Sequence, residues 1–77
     1  MNAMITVAIF QLPQELYILK TVLERESIPY YFENETIVSI DPFASIALGG
    51  IKLKVHPENK ERTLQLLEDL NNPLSIV

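Results

Sequence analysis

Gly49-Gly50-Ile51-Lys52-Leu53-Lys54-Val55 is the stretch on which the fold turns. From Ile51 onward apolar and charged residues alternate without a break. Successive side chains of a strand leave opposite faces, so Ile51, Leu53 and Val55 share one face and both lysines the other. A strand with one apolar face has to bury it against another element. The two glycines ahead of it mark a break in the backbone, best read as a hairpin pair chosen for permissive backbone angles.

On the C-terminal side, His56-Pro57-Glu58 has the look of a helix start, because proline suits the first helical position and an acid complements the positive end of the helix. Leu64, Leu67 and Leu70, joined by Leu66, then predict an amphipathic helix over residues 57–70, which Asn71-Asn72-Pro73 stops. On the N-terminal side the pattern repeats. Residues 4–10 set Ile5, Val7 and Ile9 against Thr6 and Ala8, a strand apolar on both faces and therefore expected at the centre of a sheet. Gln11-Leu12-Pro13-Gln14-Glu15 opens a helix over residues 13–26, with Leu16, Leu19, Val22 and Leu23 on one side and most of its charges elsewhere. Ser27-Ile28-Pro29 ends it, since the residue before a proline avoids the helical region. Tyr30-Tyr31-Phe32-Glu33 is an aromatic strand. Asn34-Glu35-Thr36 is turn-like, and Ile37-Val38-Ser39-Ile40 either continues that strand or forms a new short one before Asp41-Pro42.

Strand, helix, strands and helix, in this order, predict one α+β domain over residues 4–71. Its architecture is a ferredoxin-like βαββα sandwich, an antiparallel sheet with two helices on one face, because each helix has a single apolar stripe to hide. Residues 72–77 form a C-terminal apolar tail that either adds a short strand to a sheet edge, of its own or a neighbouring chain, or frays.

The chain has 77 residues, 48% apolar and 21% charged, the balance of an ordinary globular domain. A domain of this size buries only about 60% of the surface its unfolded chain exposes, so it must pack well or associate. There is no cysteine, which removes disulfides, thiol chemistry and cysteine-held metals. No apolar run approaches the roughly 20 residues of a membrane span, and residues 4–10 lack the basic leader of a signal peptide. The expectation is a cytoplasmic protein with no membrane partner. A net charge of -4, with only six scattered Lys and Arg, repels a phosphate backbone and argues against nucleic acid.

With these elements placed, the sequence resembles DUF2007, a bacterial family of small domains of unknown function associated with prokaryotic signal transduction and a P-II-like, ferredoxin-type fold. The likeness spans residues 5–70. It rests on a first strand ending in Phe10, on Val22-Leu23-Glu24-Arg25-Glu26-Ser27-Ile28-Pro29, on Glu33-Asn34-Glu35, and on the Gly49-Gly50-Ile51-Lys52-Leu53-Lys54-Val55 stretch. Ser27 stands where the family commonly has glycine. The resemblance implies a fold and a regulatory role; it supplies no ligand and no catalytic residue.

The residues themselves point away from an enzyme. His56 is the sole imidazole, whereas catalytic zinc usually takes three protein ligands, so His56 reads as part of a helix start and no metal site or cofactor is assigned. Glu24, Glu26, Glu33, Glu35 and Asp41 sit beside charged or turn residues and read as solvated. Gly49-Gly50 precedes a strand and not a helix N-terminus, which sets it apart from phosphate-binding loops. Lys52 and Lys54 read as the solvent side of a strand, where they also discourage edge pairing. The aromatic residues read as core. No catalytic residue is assigned.

Residues 40–48 ask for an explanation, because Ile40, Phe43, Ala44, Ile46, Ala47 and Leu48 crowd a connection expected to be polar. Either the segment folds down as an extra helical turn or strand and closes the core, or it forms a contact surface for another subunit or another protein. Ile40, Phe43, Ile46 and Leu48 are the candidate contact residues. The function expected is a non-enzymatic regulatory or protein-interaction module, homo-oligomeric and open to a protein partner. A small-molecule-sensing P-II-like domain is the alternative and an enzyme the remotest reading.

Overall fold

The computed structural model describes residues 3–71. Ile51–Val55 is a strand whose Ile51, Leu53 and Val55 side chains are wholly buried, as the alternation requires. Element by element, the chain runs β1 (Ile5–Phe10), a 3-10 turn (Pro13–Leu16), α1 (Tyr17–Arg25), β2 (Tyr30–Glu33), α2 (Glu35–Ile40), α3 (Ala44–Leu48), β3 (Ile51–Val55), a second 3-10 turn (Pro57–Asn59) and α4 (Lys60–Asn71). Among the described residues three strands form an antiparallel sheet in the order β1-β3-β2, with β3 paired on both sides. The expectation that the first strand is central is corrected here. β1 is an outer strand, and Ile9, which suggested a second buried face, is half exposed.

Register sorts the side chains. Phe10 lies opposite Ile51, Ala8 opposite Leu53, and Phe32 opposite Leu53 on the other side, all on the face that carries the core. Leu16, Leu19, Val22 and Leu23 from the first helical segment and Leu66 from α4 join this one cluster. The reverse face carries Thr6, Ile9, Lys52, Lys54, Tyr31 and Glu33, with the Glu33 carboxylate 3.3 Å from Lys54 Nζ and 3.8 Å from Lys52 Nζ. Because β3 is central, the lysines guard no edge; they balance Glu33 of the neighbouring strand. In α4 the inward residues are Thr63, Leu66 and, partly, Leu67, at i, i+3 and i+4. Leu64 and Leu70, expected in the apolar stripe, are exposed.

Helix ends follow from local chemistry. The Glu15 carboxylate accepts hydrogen bonds from the backbone N–H of Gln11 and Leu12, at 3.0 and 2.8 Å, satisfying donors that the first turn leaves free. α1 closes in a Schellman arrangement. Ile28 N–H donates to the Leu23 carbonyl at 3.0 Å and Ser27 N–H to that of Glu24 at 3.1 Å, while Ser27 takes the left-handed φ of 59°. The residues at 37–40 are helical and not a strand. Asn34 at φ 74° turns the chain off β2, and its side-chain amide donates to the Gly50 carbonyl at 3.2 Å. The β-branched run after it then winds into a helix that buries Val38 alone.

Gly49 and Gly50 make no hairpin. Gly49, at φ 79°, caps α3, and Gly50, at φ 92°, lets β3 close on β1, since a Cβ there would lie 2.8 Å from the Phe10 carbonyl oxygen. The apolar tail at 72–77 lies outside the described residues.

A non-glycine residue in the left-handed region costs about 1 kcal/mol, and nothing in Ser27's hydrogen bonding uses its side chain. Ser27→Gly is therefore expected to raise stability by roughly 0.5 to 1 kcal/mol, seen as a melting temperature higher by a few degrees. An unchanged or lower melting temperature contradicts the geometry of this cap.

Candidate functional site

Residues 40–48 neither stay irregular nor close the core with their bulk. α3 turns Ala44 and Ser45 inward: Ala44 packs against the core, and Ser45 is buried, its hydroxyl donating to Gln11 Oε1 at 2.8 Å and its carbonyl accepting the Gly50 N–H at 2.8 Å. A helix with Ala44 and Ser45 facing in must face Phe43, Ile46 and Ala47 out. Phe43 and Ile46 are accordingly 80% and 82% exposed, Ile40 is 80% exposed and Leu48 40%. Ile37, one turn before Ile40 on α2, is half exposed as well. All four candidate contact residues thus lie at the surface of the α2–α3 connection, held to the body by Val38, Ala44 and Ser45. The Asp41 carboxylate accepts the Phe43 N–H at 3.1 Å, which fixes the turn that presents Phe43.

A second feature lies along β2. A groove of about 550 Å³ is lined by residues 30–37 together with Lys20 of α1. The Lys20 ammonium pairs with the Glu35 carboxylate and stands 5.7 Å from the centre of the Phe32 ring. Neither Lys20 nor Ile37 is marked out by the sequence: Lys20 lies fifteen positions before Glu35, so no local spacing joins them, and Ile37 belongs to a β-branched run that predicts a strand.

The carboxylates considered in the sequence each have a partner of their own, although Glu33 and Glu35 line the same groove. Glu24 accepts the Tyr30 hydroxyl at 2.6 Å, Glu26 pairs with Arg62 at 2.6 Å, Glu33 with the two lysines, and Glu35 with Lys20. The hydrogen bond from Arg62, reinforced by its charge, holds the Glu26 carboxyl below its ordinary range. Among the described residues no three His, Cys, Asp or Glu side chains gather into a metal-holding group. His56 turns Nδ1 inward without a hydrogen-bond partner among the described residues, and the buried Thr63 hydroxyl is likewise unpaired. Of the aromatic residues, Phe10, Phe32 and Tyr30 pack edge to face in the core layer, with ring centres 6.5 and 5.4 Å apart, while Tyr17, Tyr31 and Phe43 are exposed.

Comparison of the chain with protein-family models, with curated proteins and with solved structures finds no match. No helix among the described residues is long and apolar enough to cross a membrane.

The Tyr30–Glu24 hydrogen bond offers a direct check on this corner of the structure. Donation to the Glu24 carboxylate, with a smaller effect of burial, pushes the Tyr30 phenol up to about 12. The folded chain therefore holds this proton more tightly than the unfolded chain. The stabilisation is complete below the ordinary tyrosine value near 10 and is lost as the pH rises through about 12. Ultraviolet titration is expected to resolve one late tyrosine that Glu24→Gln moves back toward the ordinary value; a Tyr30 that ionises with the others contradicts the bond.

Proposed function

We propose that this chain is a non-enzymatic regulatory or protein-interaction module, acting in the cytoplasm, whose α2–α3 face takes a partner protein. One observation carries the reading: Ile40, Phe43 and Ile46 are each at least 80% exposed on a segment pinned from beneath by Ala44 and Ser45. Bulky hydrocarbon displayed from anchored backbone is the composition of a contact surface, where large apolar side chains supply most of the binding energy. The strand order β1-β3-β2, with α1 and α4 sharing one core cluster, supports a ferredoxin-like βαββα arrangement. The likeness of residues 5–70 to DUF2007 supports a place in bacterial signalling. Carboxylates that are each engaged by a different partner support a binding role over a catalytic one.

A second reading, a small-molecule-sensing P-II-like domain, draws on the groove beside Lys20 and Glu35. A ligand of the native state raises the melting temperature by mass action, so a metabolite panel separates the two.

The triple variant Phe43→Ser, Ile46→Ser, Leu48→Ser removes exposed hydrocarbon and leaves Val38, Ala44 and Ser45 in place. It is expected to keep the circular dichroism of the parent and to lose the protein that the parent retains from host lysate. Equal capture by parent and variant overturns the α2–α3 face as the contact surface.

A further inference from the structure

The two outer edges of the sheet differ. β1 carries a register shift between Thr6 and Ala8, an irregularity that interrupts the even row of main-chain groups an added strand needs. β2 runs in unbroken register with β3 from Tyr30 to Glu33. Alternate residues of β2 therefore turn their N–H and C=O groups away from the sheet, and the same strand lines the groove of about 550 Å³. The charge of Glu33 and the ring of Pro29 stand at the two ends of this edge, and the three positions between them, Tyr30-Tyr31-Phe32, carry neither of these usual guards.

We propose that the edge of β2, unpaired among the described residues, is a self-association surface, on which β2 of a second copy adds antiparallel about a two-fold axis through Tyr31, joining two sheets into one continuous sheet. The sequence of the edge argues for a second copy as the occupant. Tyr30-Tyr31-Phe32 places an aromatic residue at every position, so reversing the strand about Tyr31 sets aromatic against aromatic throughout. Tyr30 meets Phe32 of the second copy on the core side, and Tyr31 meets its own equivalent on the open side, the kind of cross-strand pair that stabilises a sheet. Charge selects the register. An axis through Glu33 sets two carboxylates directly opposite each other, whereas an axis through Tyr31 sends them to opposite ends of the ladder. Such an interface is isologous, the commonest closed arrangement of identical chains. Tyr31, 56% exposed, and Ile37, 51% exposed and lining the groove, supply apolar surface beside the main-chain ladder. The inference rests on the reading of the chain as an association module, and it uses a surface other than Ile40, Phe43 and Ile46.

The chain has no cysteine, so one introduced thiol reports its own surroundings. Residues opposed across an antiparallel ladder have Cα atoms about 4.5 to 5.5 Å apart, within the reach of a disulfide. Full-length Tyr31→Cys under mild oxidation is expected to give a covalent dimer at a concentration where Ile46→Cys stays monomeric, and the parent chain is expected to show twice the chain mass by light scattering. Tyr31→Lys opposes two ammonium groups across the axis and is expected to halve the mass with circular dichroism unchanged. A monomeric parent, or cross-linking at Ile46 in preference to Tyr31, overturns the proposal. Partner capture through α2–α3 by a monomeric chain fails this inference alone; a Tyr31 dimer without such capture fails the α2–α3 reading alone.

Discussion

Everything in this structure depends on β3 being bonded along both of its edges while one of its faces is sealed. Ile51, Leu53 and Val55 have no exposed surface, and each buried side chain of this size contributes on the order of 1.5 to 3 kcal/mol. In a domain this small that is a large share of the net stability. Helix α1, α4 and the outer strands are arranged to cover one five-residue strip. Gly50 is part of the same constraint, because only a residue without Cβ lets the strip begin against the Phe10 carbonyl.

The exposure of the α2–α3 connection follows from that seal. Leucines from the first helical segment and Leu66 already fill the space above β3, leaving room for Val38, Ala44 and Ser45. Inserting Phe43 or Ile46 would overfill a close-packed core, at a cost of about 1 to 3 kcal/mol. Hydrocarbon that has no room inside is held outside by polar hooks, the Ser45 hydroxyl on Gln11 and the Asn34 amide on Gly50. Packing, in this sense, generates the surface that the functional reading uses.

How much of this was legible depended on whether a signal was local. Period-two alternation at Ile51-Lys52-Leu53-Lys54-Val55 identifies a half-buried strand from the residues alone, and Leu16, Leu19, Val22 and Leu23 identify the face of the first helix. Ile37-Val38-Ser39-Ile40 misleads because β-branched residues favour strands, whereas the decision rests with Asn34, whose left-handed turn sets a new direction. Thr63 hides the true face of α4, since a hydroxyl residue does not register as core and the exposed Leu64 and Leu70 take its place in the pattern. Which strand is central is a pairing property, carried by no single segment. The candidate contact residues were legible as surplus hydrocarbon, but the groove was not, because Lys20 and Glu35 meet only in the folded chain.

Residue-resolved amide hydrogen exchange tests the central claim most directly, since it separates what opens only with the whole molecule from what opens alone. On this account the β3 amides exchange only by global unfolding and the α3 amides exchange first, by local release of the Ser45 hook. Protection greater in β1 than in β3, or α3 as protected as the core, would contradict it.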